Sequence, residues 1–173
     1  MFGLQLAHAM GIQAVITSSS DDKLARARAL GADETINHAT QDLVAEVKRL
    51  TGKRGVDVVF EHVGAATFYT SVFVCRTFGT IVICGATSGF QLDFDVRYLW
   101  MRQKSILGSH FANAYECQRA NQLITEGKVR PVLSRVFPWS ECPVPHQLMK
   151  DNRHVGKMVV LVGAEREGEG RRE

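Results

Sequence analysis

Six histidines (His8, His38, His62, His110, His146, His154) and four cysteines (Cys75, Cys84, Cys117, Cys142) are the side chains that could hold a metal, move a proton or attack a substrate. Their spacing builds no self-contained metal site. There is no C-x-x-C pair and no H-E-x-x-H run, so no zinc is expected in this chain. Cys75 and Cys84 fall in apolar stretches, which predicts buried, inert thiols. His62 has an intrinsic pKa suited to acid–base work. It stands at the end of an apolar run, where lining a cleft and hydrogen bonding is the favoured reading.

Composition narrows the classes further. The 173 residues are 45% hydrophobic and 23% charged, the proportions of a globular protein. Lys and Arg number 21 against 18 Asp and Glu, a net charge of +3 with no basic block in the body of the chain. Nucleic acid is therefore not an expected partner. No apolar run approaches the roughly 20 residues that span a bilayer. The N-terminal run lacks a basic start and a small-residue cleavage site, so the expectation is a cytoplasmic protein without membrane attachment. The charged run AEREGEGRRE at 164–173 reads as a disordered tail.

Those residues must be positioned by elements, and the elements alternate. Residues 2–10 have helical apolar spacing closed by Gly11, and 13–17 read as a short buried strand. Ser20, Asp21 and Asp22 offer caps for the helix KLARARAL, which Gly31 stops. A strand is expected near Glu34–Ile36, a helix at about 41–50 before Gly52, and a buried strand at Val56–Phe60. A helix at about 66–76 precedes the strand GTIVICG. A short helix at 95–103, the strand KSILGSHF, an amphipathic helix at 114–126 and a strand at 132–137 follow. Pro138, Pro143 and Pro145 confine the next helix to about 146–151, and KMVVLV closes as a strand.

Such alternation predicts right-handed βαβ units and an α/β fold with a mainly parallel sheet, covered on both faces. Ligands in sheets of this kind lie at the carboxyl ends of the strands. Topology alone therefore directs attention to Thr17–Lys23, Asn37–His38, Glu61–Ala65, Cys84–Ser88 and Gly108–Asn113.

The ordered segments AMG-x-x-AVITSSSDDKLARARALGADETIN, GVDVVFEHVG, GTIVICGATSG, RYLWMRQKSILGS, GKVRPVLSRVFP and HVGKMVVLVG resemble one family. It is the medium-chain, zinc-type alcohol dehydrogenase and quinone reductase superfamily, in its nucleotide-binding half. The resemblance covers about residues 2–163 and implies a partial Rossmann-like, doubly wound NAD(P)-binding domain over 1–163. In that family a strand and a Gly-rich turn immediately precede the helix that begins here at Met1. The missing strand would be central, between QAVIT and VDVVF. The family's catalytic half is also outside this chain, so no catalytic residue is named.

By resemblance, Ser18 stands where NAD-preferring relatives place an acid on the ribose 2′-hydroxyl. A serine there removes the repulsion of a 2′-phosphate and can donate a hydrogen bond. Ser19 lies in the same turn, and Lys23 and His38 match a cation and a ring near the adenosine phosphate. The resemblance thus implies NADP, with NAD possible because Asp21 and Asp22 lie close by. A plain turn and helix cap at Ser18–Ser20 remains open. His62, Val63 and Gly64 would line the ribose side. Cys84, Gly85 and Ala86 would meet the nicotinamide carboxamide, and Ser109, His110 and Phe111 would border the ring. Lys157 would approach a phosphate or be an ordinary surface lysine. The implied chemistry is hydride transfer to or from a small carbonyl, quinone or enoyl-thioester substrate. The run GSHFANAYECQRANQLI is similar to enoyl-thioester reductases of the same superfamily. The alternative is a non-catalytic remnant acting as a binding or oligomerisation module. The family also implies a homodimer through the edge strand at Ser105–His110, with Ile106 and Leu107 on opposite faces.

Overall fold

The computed structural model describes residues 1–163; the expected tail at 164–173 lies outside the described residues. Seven helices and seven strands alternate along the described chain: α1 (Phe2–Ala9), β1 (Val15–Ser18), α2 (Asp21–Ala29), β2 (Glu34–Asn37), α3 (Leu43–Leu50), β3 (Val56–Glu61), α4 (Phe68–Val74), β4 (Cys75–Ile83), α5 (Arg97–Trp100), β5 (Ser105–Gly108), α6 (Ala114–Thr125), β6 (Leu133–Pro138), α7 (Pro143–Lys150) and β7 (Lys157–Leu161). A short 3-10 turn, Trp139–Glu141, leads into α7.

Local chemistry sets most ends. Ser20 caps α2 by accepting from the Lys23 amide, and Asp42 caps α3 by accepting from Val44 and Ala45. Gly31, Gly52 and Gly127 follow helices at φ +95°, +57° and +71°, where a Cβ would be strained. Two expected boundaries move. The prolines do not hold the last helix back: Pro143 is its first residue and Pro145 lies in its first turn, where a missing N–H is harmless. The expected helix at 66–76 ends at Val74, and β4 begins at Cys75 rather than Gly79. Cys75 is taken by β3, opposite Val56, and an irregularity then passes to the Val58–Thr80 pair.

The strands divide into three sheets, β1-β2, β3-β4-β5 and β6-β7; the last two are parallel throughout. No described strand pairs with the second edge of β1 or with the outer edge of β3.

The chain forms two compact units, and the division passes through β2. One comprises Met1–Thr35 with the segment from Glu116 onward. Its buried side chains include Leu4, Leu24, Ala27, Val129 and Phe137. The other is Ile36–Tyr115. There α4 packs Phe68 and Val72 on Cys75 and Ile81, with Val59, Ile83 and Phe94 around them. This covers one face of β3-β4-β5. The other is open, against expectation: Val58, Phe60 and Leu107 are 59%, 68% and 54% exposed.

Candidate functional site

The carboxyl ends of β3, β4 and β5 surround a cavity of about 480 Å³. Glu61, Gly64, Cys84, Gly85, Ala86, Ser109 and His110 line it, with Phe68, Phe90 and Leu92 as apolar wall. Six of the expected cofactor residues thus meet around one space. His62, Val63 and Phe111 are beside it but not on its wall. Cys84 is exposed, which corrects the expectation of a buried thiol, because β4 ends at Ile83 and the chain turns outward.

Two loops are stitched together here by backbone. The Cys84 amide donates to the Glu61 carbonyl at 3.0 Å, and the Ser88 amide and hydroxyl both donate to the Val63 carbonyl at 2.7 Å. Ser88 Oγ in turn accepts from the Ala66 amide at 2.9 Å. Gly64 is at φ +90°, and a Cβ there would lie 2.4 Å from the Gly89 carbonyl oxygen. A Cβ on Gly85 would come to 3.2 Å from the His62 carbonyl oxygen. At Gly64 only glycine lets the loops close, and at Gly85 a side chain would be tightly held. Ser109 joins the wall by donating its amide to Ile83 at 2.8 Å. The His110 and Phe111 rings lie 3.7 Å apart, with Phe111 at φ +58°.

Glu61 organises the turn and was given no role by sequence. It is 3% exposed. Its Oε1 accepts from the Val63 amide at 2.7 Å, the Gly64 amide at 3.1 Å and the Thr67 hydroxyl at 2.8 Å, and its Oε2 accepts from the Ser71 hydroxyl. Burial pushes the Glu61 carboxyl up, but the bonds from Ser71, Gly64, Thr67 and Val63 outweigh it, leaving the group below its ordinary value. The available signal was a carboxylate closing an apolar strand, with Thr67 and Ser71 one helical turn apart beyond it.

A second cavity of about 480 Å³ lies at the other end of the same strands, where they begin. Its lining carries seven cations, Lys48, Lys53, Arg54, Arg76, Arg97, Arg102 and Lys104, against Asp95. Arg54 and Arg76 both bind Asp57, and Arg97 binds Asp95. Hydrogen bonds from Arg54 and Arg76 hold the Asp57 carboxyl well below the usual carboxylate range. Burial pushes the Lys104 ammonium down. Tyr69, Phe73 and Tyr98 form a ring cluster beside it, with Lys48 above Phe73 at 5.1 Å. These cations are scattered over 57 positions of sequence (104 − 48, plus one), so no run announced them.

The remaining expected residues are placed as follows. His38 is exposed on a turn that Asn37 closes by accepting from the Ala39 amide. In the other unit, Ser18 Oγ accepts from the Ser20 amide at 3.2 Å, and Ser19 is exposed. Ser18–Ser20 thus do form a turn and cap. Lys23 Nζ is engaged by the Asn152 carbonyl and side-chain oxygens at 3.0 and 2.6 Å. Lys157 is exposed at the start of β7. Among the described residues no group of three His, Cys, Asp or Glu could hold a metal ion. No helix among them is long and apolar enough to cross a membrane.

The family model of zinc-binding dehydrogenases matches residues 1–126. The crotonyl-CoA carboxylase/reductase of Cereibacter sphaeroides is 39% identical over 191 residues, covering 96% of this chain and 44% of that protein. Among solved structures, the crotonyl-CoA carboxylase/reductase AntE in complex with NADP has a TM-score of 0.86 at 34% identity, over 94% of this chain and 46% of that one. The 2-octenoyl-CoA carboxylase reductase CinF, in complex with NADP and 2-octenoyl-CoA, has a TM-score of 0.84 at 39% identity, over 96% of this chain and 41% of that one. The chain spans less than half the length of these relatives. It belongs to the zinc-binding dehydrogenase family.

Proposed function

We propose that this member of the zinc-binding dehydrogenase family supplies the nucleotide-binding part of an NADP(H)-dependent reductase, and that its substrate is an enoyl thioester of coenzyme A. The relatives named for crotonyl-CoA and 2-octenoyl-CoA carry the choice among carbonyl, quinone and thioester substrates.

The dinucleotide belongs at the carboxyl ends of β3–β5. The residues there fit it: Gly64 and Gly85 bring backbone to the cavity wall beside Ser109 and His110. When bound, the cofactor supplies the hydride, and this chain's part is to hold the ring against the wall of Gly85, Ala86, Ser109 and His110. By resemblance, Ser18 carries a hydroxyl where NAD-preferring relatives carry a carboxylate, which supports NADP. The exposed edge of β5, with Ile106 37% and Leu107 54% exposed, is where a second copy would extend the sheet.

Calorimetric titration tests the substrate class without needing turnover. With NADPH present, the chain should bind crotonyl-CoA at least tenfold more tightly than benzoquinone, roughly 1.4 kcal/mol. Equal affinity for the two, or tighter quinone binding, refutes the thioester reading.

A further inference from the structure

We propose that Glu61 is the positioning residue of the cavity at the ends of β3–β5: its buried carboxylate fixes the His62–Gly64 backbone in the shape that receives the dinucleotide. The role rests on the dinucleotide reading above. Four donors converge on this one carboxylate: two backbone amides, Val63 and Gly64, and two hydroxyls, Thr67 and Ser71. A carboxylate has about four acceptor positions; three donors crowd Oε1 and one takes Oε2, so the group is committed to holding its own turn. Three of its bonds go to Oε1, and two of them fix consecutive amides of the turn whose glycine lines the cavity.

The order extends beyond the turn. Once the Gly64 amide is fixed, the Val63 carbonyl in the same peptide plane is aimed the opposite way, at Ser88, whose hydroxyl holds the Ala66 amide. The Gly64 carbonyl accepts from the Thr67 and Phe68 amides at 3.0 and 2.9 Å, starting α4. Both loops of the cavity and the helix beneath them therefore take their geometry from one ionised group. A neutral amide of the same shape would keep an acceptor but lose the charge that strengthens all four bonds, and it would present an N–H to one hydroxyl.

Hydrogen exchange and NADPH titration on the chain and on Glu61→Gln test this. Exchange of the Val63 and Gly64 amides should accelerate about tenfold, and NADPH should bind about tenfold more weakly. Ser71→Ala, which removes only the Oε2 partner, should leave the two amides close to the parent. Unchanged exchange in Glu61→Gln overturns the positioning role whatever the ligand does. Faster exchange with unchanged NADPH affinity overturns it too, while the dinucleotide reading survives. A parent chain that binds no dinucleotide overturns that reading, and this role with it. Should the glutamine variant not fold, the parent decides alone. Its Val63 and Gly64 amide resonances must shift together as acid protonates the carboxyl, and amides that do not move would reject the proposal.

Discussion

Replacing Gly64 with alanine should damage the protein more than any other single methyl group added to this cavity wall. Two separate penalties meet at the position. At φ +90° an L-residue is strained by about 1–2 kcal/mol. The new Cβ would also lie 2.4 Å from the Gly89 carbonyl oxygen and 2.9 Å from Ala86 Cα, both backbone atoms that no rotamer change can move. Restoring ordinary contact needs a shift of about 1 Å, an overpacking cost of about 1–3 kcal/mol. The displaced Gly89 carbonyl accepts from the Ala65 amide at 3.0 Å, and losing that bond removes about 1 kcal/mol more. The sum is about 3–6 kcal/mol against a total stability of about 5–15 kcal/mol. Urea unfolding followed by far-ultraviolet circular dichroism measures it. At a slope of about 2 kcal/mol per molar, the midpoint should drop by about 1.5–3 M. Gly108→Ala is the control, since nothing lies within 4 Å of its Cβ position. It should stay within about 0.5 kcal/mol of the parent. A Gly64→Ala loss below about 1 kcal/mol, or an equal loss at Gly108, would refute the close-approach argument.

Three further outcomes are expected. Ser18→Asp should move preference from NADPH to NADH by about tenfold; fluorescence titration with both cofactors reads it, and an unchanged ratio removes Ser18 from the phosphate site. Glu61 has a folded value below its unfolded one, so its stabilisation is present above about pH 5 and lost as pH falls through the folded value. Acid unfolding should therefore be shallower in Glu61→Gln than in the parent. Asp57 and Asp95 contribute the same sign in both proteins, and parallel curves would count against an ionised Glu61. Because the Ser109 amide points to β4, alternation turns the Ile106 and Gly108 amides outward. Ile106→Pro should then abolish a dimer through β5 while preserving the fold, as read by light scattering. Proline at Leu107 would instead break the internal β4–β5 ladder. A folded Ile106→Pro chain that is still dimeric rejects this edge.

The sequence by itself determined the alternation of helices and strands, because the signals that carry it are local. Ser20 and Asp42 satisfy amides two or three residues on, and Gly31, Gly52 and Gly127 terminate helices through their own backbone freedom. It also directed attention to Gly64, Cys84, Gly85, Ala86, Ser109 and His110, which line one cavity, since strand ends in a parallel sheet share an edge. Tertiary structure decided the rest. The start of β4 at Cys75 is fixed by its partner Val56, 19 residues away (75 − 56), and pairing at that range overrides local helix propensity. The exposure of Cys84, the bare face at Val58 and Phe60, and the gathering of seven dispersed cations into one cavity depend on which surfaces meet. Glu61 lies between the two cases. Its donors are all within ten residues, yet a carboxylate at a strand end reads as solvated until the fold shows it buried and held by four donors.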